Sequence, residues 1–148
     1  MSHLKGFPDL PPVWALAFWL AQQGASAWLP LLRFDAGWIG PALVAAGLAL
    51  IGWAALWFRA KRTPIAPHHA PAALIVEGPY RLNRNPIDTG LAVILLGTGL
   101  NAGALSSVLL ATLFPLVATS RFVRPEEAGL RAAFGAEADA YLAHTRRW

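Results

Sequence analysis

Two polar clusters interrupt an otherwise greasy chain, and their side chains are of types that can do chemistry. The first is Arg81, Arg84, Asn85 and Asp88, within the stretch GPYRLNRNPIDTG at 78–90. The second is Arg121, Arg124, Glu126 and Glu127, around RPEE at 124–127. An arginine fork grips a carboxylate through paired hydrogen bonds, and a glutamate accepts from a sugar diol. The two clusters together therefore suit a ligand that carries both groups. The same residues also allow a plainer arrangement, in which Arg84 pairs with Glu126 or Glu127 at headgroup level and the two glutamates favour a helix start through its dipole. Position along the chain leaves both open.

Something must bring clusters some forty residues apart to one place, and the intervening sequence supplies it. Residues 89–120 carry no charge, yet a single helix of that length would run to roughly 48 Å, more than one bilayer crossing needs. Asn101-Ala102-Gly103 is accordingly expected to turn, giving a hairpin of two short apolar helices, about 87–101 and 104–122, with Pro115 able to kink the second. Upstream, about 12–32 and about 38–58 are each long enough to cross, joined by a turn at Arg33–Gly37. The expected fold is thus an all-α integral membrane protein with four transmembrane helices, a cytoplasmic loop and C-terminal helices, forming a single membrane domain over 1–148.

Composition agrees. The 148 residues are 56% hydrophobic and 14% charged, with a mean hydropathy of +0.46, far from an average soluble domain. The 12 Lys+Arg against 8 Asp+Glu read as a topology signal rather than a nucleic-acid footprint. With four crossings, every Lys and Arg except Arg33 falls on the side of both termini, which the positive-inside rule makes the cytoplasm; a bacterial inner membrane is the expected location. A cleaved signal at 13–27 fits less well than a retained first helix, because the apolar run resumes at Trp28. There is no cysteine, hence no disulfide and no thiolate chemistry. His68-His69 are adjacent and so poorly spaced for a metal, and none is expected. Gln22 and Gln23 fall mid-span and should face the bundle, bonding between helices or lining a lipid tunnel. The Gly and Ala of 40–55 should allow close helix packing. In the cytoplasmic parts, the prolines of 59–86 predict an irregular loop. Pro125 predicts a helix start, Gly135 its end, and 136–144 a second short helix. Trp148 beside Arg146-Arg147 suits anchoring to anionic lipid.

The residues at 63–65, 74–86, 124–135 and 141–148 also carry a resemblance. Thr63-Pro-Ile, then Leu74-Ile-Val-Glu-Gly78-Pro-Tyr80-Arg-Leu-Asn-Arg84-Asn85-Pro86, then Arg124-Pro-Glu126-Glu127, Phe134-Gly135, Tyr141 and Arg146-Arg147-Trp148 resemble the isoprenylcysteine carboxyl methyltransferase and phospholipid methyltransferase superfamily over residues 62–148. The resemblance implies an S-adenosylmethionine-dependent methyltransferase whose cofactor pocket is formed by 62–90 and 121–148. By position it places the backbone of Leu74 and Ile75 near the adenosine, with Gly78 and Tyr80 in the pocket. Arg84 and Asn85 hold the methionine end, Glu126 with Glu127 takes the ribose side, and Arg121 and Arg124 stand toward the substrate. Where the family pattern has a final tyrosine, this chain has Asp88.

Methyl transfer from a sulfonium needs alignment and exclusion of water, with no metal. An amine or thiol acceptor also needs a base, for which Asp88, Glu126 or Glu127 serve; a carboxylate acceptor needs none. Arg84, Asp88 and Glu127 are the expected catalytic residues, and a lipid or hydrophobic small molecule entering from the bilayer is the expected acceptor. Two other readings stand beside this one: an NADPH-dependent enzyme like the sterol reductases, and a non-catalytic scaffold of the same fold.

Overall fold

The computed structural model describes residues 9–62 and 73–148. Thr63, Pro64, Pro67, His68, His69 and Pro71 lie outside the described residues. The described residues form helices and turns, with two isolated bridges (Arg33 with Ala104, Asn83 with Arg146) and no strand. Six α-helices follow one another: α1 Pro11–Trp28, α2 Ile39–Ala60, α3 Pro86–Asn101, α4 Leu105–Ala118, α5 Arg124–Phe134 and α6 Ala136–His144.

Two of the expected boundaries need correction. The first helix stops at Trp28 rather than at 32. Pro30 offers no N–H to a helical ladder, and Leu31 takes a left-handed φ of 57°. The chain then runs extended beside the α3–α4 turn, where Phe34 N–H donates to Gly103 O (3.1 Å) and Leu105 N–H to Leu32 O (2.9 Å). The second correction concerns Pro125. It does not open a separate helix, because α4 passes through a π-helical turn, Thr119–Val123, directly into α5. Pro125 has no N–H for the carbonyl four residues back, and its ring crowds that carbonyl; the wider π turn just ahead of it gives the room. Glu126 and Glu127 therefore sit inside a continuous helix, and the helix-start role expected for them does not arise.

Two helices, Ile39–Ala60 and the continuous Leu105–Phe134, are long and apolar enough to cross a membrane. Leu48, Trp53 and Leu56 of α2 and Leu109, Leu113 and Leu116 of α4 all stand exposed, the surface a hydrocarbon solvent favours and water does not.

With lipid on the outside, helix association rests on close packing and internal hydrogen bonds. Packing is closest between α2 and α3. A Cβ on Gly47 would strike the Gly90 carbonyl and one on Gly90 the Gly47 carbonyl; Gly40 and Gly97 oppose each other in the same way. The small-residue packing expected for 40–55 is what brings these backbones together. Hydrogen bonding is densest around Gln22, which is fully buried. Its Nε2 donates to Leu95 O (2.8 Å) and Ser107 O (3.1 Å), and its Oε1 accepts from Thr98 Oγ1 (2.8 Å). Of the two roles expected for this residue, bonding between helices is the one observed. Gln23 is exposed. Below this knot, Phe114 packs edge-on to Phe18 within a core that includes Leu95, Ala118 and Phe122.

Candidate active site

At the other end of the helices a second apolar cluster, Ala54, Ile75 and Tyr80 with Trp57, Phe58, Ile87 and Tyr141 around it, seats the segment 73–85 on α2 and α6. Gly78 opens a short 3₁₀ turn, Gly78–Arg81, with φ of +60°. A side chain there would collide with the Trp57 indole, so Gly78 is required for fit as well as for conformation. Tyr80 packs edge-on to Phe58, with 5.6 Å between centroids. Its carbonyl accepts from the Tyr141 hydroxyl (2.8 Å). Burial pushes Tyr141 up to about 12 and Tyr80 higher still, so both phenols keep their protons. Ile75 is buried and Leu74 half-buried.

The turn delivers Arg84 and Asn85 to the start of α3. Arg84 is held three ways: its backbone N–H donates to Arg146 O (2.7 Å), Nε donates to Thr145 O (2.7 Å), and one terminal nitrogen meets Glu127 Oε1 (2.8 Å). Asn85 donates from Nδ2 to Arg147 O (3.2 Å). Glu127, 4% exposed, is also gripped by Arg147, through Nε to Oε1 and a terminal nitrogen to Oε2, both at 2.8 Å. Burial alone would raise the Glu127 carboxyl. The Arg147 hydrogen bonds and the charges of Arg84, Arg147 and Arg131 outweigh it and hold the group below the usual carboxylate range. A carboxylate so held is a poor proton acceptor near neutrality.

Its two acidic neighbours differ. Asp88 is 5% exposed, and among the described residues neither it nor Glu126 has a hydrogen-bond or ion-pair partner. Among the described residues no wholly enclosed side-chain oxygen or nitrogen lacks a partner, so the Asp88 oxygens, having none there, must open onto accessible space. Glu126 is itself accessible to solvent. The protein around it still strips part of its hydration, and with the nearby Asp88 charge this pushes Glu126 up to about 7. Tyr80 feels the charges of both carboxylates, which puts the phenol and the two acids within electrostatic reach of one another.

From Thr89, next to Asp88, the outer side of the hairpin is hollowed. Thr89, Ala92, Val93 and Leu96 of α3 face Ala111, Thr112 and Pro115 of α4 across an open groove of about 340 Å³.

The structure thus brings together Ile75, Gly78, Tyr80, Arg84, Asn85, Asp88, Glu126 and Glu127. It does not bring Arg121 or Arg124 to them. Arg121 pairs with Asp9 and lies 5.1 Å over the Trp14 ring, and Arg124 is exposed on the helix exterior. Trp148 was expected at the lipid surface. Instead its indole N–H donates to Thr119 Oγ1 (2.9 Å) and its ring packs on the Phe114–Phe122 core. Arg147 is the site residue that spacing did not single out; its only signal was its place in the final Arg146-Arg147-Trp148. Among the described residues no group of three His, Cys, Asp or Glu is placed to hold a metal.

Comparison with protein families matches residues 36–137 to the phospholipid methyltransferase family. The match covers α2 to the start of α6 and stops short of Tyr141 and of 145–148. No curated protein and no solved structure matches the chain.

Proposed function

Because the chain belongs to the phospholipid methyltransferase family, and is by that membership a membrane methyltransferase, we propose that it transfers the methyl group of S-adenosylmethionine to a lipid or hydrophobic small molecule reaching the site from the bilayer. The observation that carries this reading is a pair of carboxylates without a partner among the described residues, Asp88 and Glu126, within electrostatic reach of each other and of Tyr80, with an apolar groove beginning at the next residue, Thr89.

The donor set suits the cofactor. Arg84 uses Nε and one terminal nitrogen within the protein and keeps the other for a carboxylate, while Asn85 keeps its carbonyl oxygen. Glu126 has both oxygens to accept from a diol. Tyr80 supplies an aromatic wall, with Ile75 in the same apolar cluster, and the backbone at Leu74 and Ile75 is left for the adenosine. When bound, S-adenosylmethionine supplies an electrophilic methyl group on a sulfonium centre. The chain's own part is to align, to exclude water and, for an amine or thiol acceptor, to take a proton on a carboxylate of Asp88 or Glu126. Arg124, exposed at the same end, is left for an anionic headgroup.

In this reading α1, α2, α3 and α4 all cross the membrane as one domain. The site then lies at the cytoplasmic face of a bacterial inner membrane, where the Lys and Arg residues collect. The test is calorimetric titration of the protein in nanodiscs with S-adenosylmethionine, its demethylated product and NADPH. The first two should bind and NADPH should not. Binding of NADPH alone would overturn the reading in favour of a reductase, and binding of none by a folded sample in favour of a scaffold.

A further inference from the structure

Residues 145–148 lie beyond the part of the chain matched to the family, and all four tie into the polar cluster or its supports. Thr145 O and Arg146 O accept from Arg84 Nε and from its backbone N–H, each at 2.7 Å. Arg147 O accepts from Asn85 Nδ2, and the Trp148 indole is fixed on Thr119 in the π turn. The Arg147 guanidinium meets both Glu127 oxygens side-on. The segment therefore ties the entry to α3 to the π turn and the α5 that continues from it, some forty residues further along the chain.

The order of these contacts matters. Glu127 is the shared partner of Arg84 and Arg147, but Arg147 alone meets both its oxygens, so Arg147 sets the plane of the carboxylate. Glu127 Oε1, together with Thr145 O, then sets where the Arg84 guanidinium points and which of its nitrogens remains free. We propose that residues 145–148 form a strap across the site and that Arg147 is a positioning residue for cofactor binding, orienting Glu127 and, through it, the free donor edge of Arg84. The role rests on the S-adenosylmethionine reading above. Arg147 need not touch the cofactor itself, and its neighbour Arg146, whose side chain is exposed, contributes only backbone.

The experiment compares wild type, Arg147→Ala, Arg147→Lys and Trp148→Phe in nanodiscs, by S-adenosylmethionine calorimetry across pH and by thermal melting. Arg147→Ala should raise the Kd on the order of tenfold to a hundredfold, the scale on which small misplacements act. Arg147→Lys should fall between Ala and wild type, since an ammonium replaces the fork with a point charge. Trp148→Phe keeps the ring and removes the indole donor, so its rise should be the smallest. Glu127 is faced by Arg84 from the loop, Arg131 from its own helix and Arg147 from the strap. Losing the last should move the acid limb of binding to higher pH in Arg147→Ala. A lowered melting temperature with Kd and pH profile unchanged in both Arg147 variants would reduce the strap to a structural tie and overturn the proposal. If wild type itself fails to bind, the reading it rests on falls with it; if wild type binds and the variants match it, only the strap falls.

Discussion

Gln22 and Asp88 are both buried polar side chains in a largely apolar chain, and their surroundings are opposite. Gln22 has every need met: two carbonyls accept from its amide nitrogen, and a hydroxyl donates to its amide oxygen. Asp88, scarcely more exposed, has no partner among the described residues, and Glu126 near it has none there either. Polar burial is costly in either place unless hydrogen-bonded. The knot at Gln22 removes the cost by internal bonding, which ties α1 to the α3–α4 hairpin. At Asp88 no bond among the described residues offsets the cost, which only the accessible space at its oxygens eases, although two arginines in the same cluster serve Glu127. In the function proposed above, a fold that pairs one carboxylate twice and leaves its neighbours open separates support from chemistry.

The largest test of that separation is Asp88→Asn. The shape is kept and no ion pair is lost, so thermal stability should hold. Turnover of an amine or thiol acceptor should fall by roughly 10² to 10⁴, the usual contribution of a positioned proton acceptor. A variant that unfolds but retains its turnover per folded molecule would reverse the comparison, making Asp88 support and not chemistry. The complementary change is Gln22→Leu, measured by thermal or denaturant unfolding in detergent. The Leu95 and Ser107 carbonyls lie within helices, and Thr98 Oγ1 still donates to Leu95 O (3.1 Å), so the loss should be only about 1 kcal/mol, in line with interhelical hydrogen bonds in membrane proteins. The Kd for S-adenosylmethionine should not move. A shift in Kd beyond twofold would show that the knot reaches the site.

Much of this division was legible in the sequence, and the gaps have physical causes. Hydropathy placed α2 and α3 closely, but it ended the fourth helix at 122, where the chain in fact runs on through the π turn into α5. It overran α1, since Leu29, Leu31 and Leu32 continue the apolar signal past the proline that ends the helix. The start signal at Pro125 was sound local chemistry, overridden by a π turn that only the packed helix shows. At the site, residue types pointed to Arg84 with Glu126 and Glu127, and the uncharged hairpin to their meeting. Which glutamate stays free could not be read, because the deciding partner, Arg147, arrives only after the chain reverses at Gly135 and α6 folds back on Tyr80. The same reversal packs the half-buried Trp148 against the core, where the sequence pattern alone put it at the lipid surface.

The smallest effect separates the two glutamates. Glu126 is pushed up to about 7, so between its ordinary value of 4.5 and that value the folded protein holds a proton that the unfolded chain releases. Stability then falls as pH rises through this window, and Glu126→Gln should flatten that slope without altering the fold. Glu127 is shifted the opposite way by its arginines. Its contribution is present above the unfolded carboxylate value and is lost as pH falls through the lower folded one, a limb that Glu126→Gln should leave untouched. Thermal unfolding of wild type and Glu126→Gln from about pH 2 to pH 8 reads both limbs in one series. If Glu126→Gln removed the acid limb and kept the neutral one, the assignment of the free and the paired carboxylate would have to be exchanged. Arg84 and Arg147 would then be supporting a group that does the chemistry.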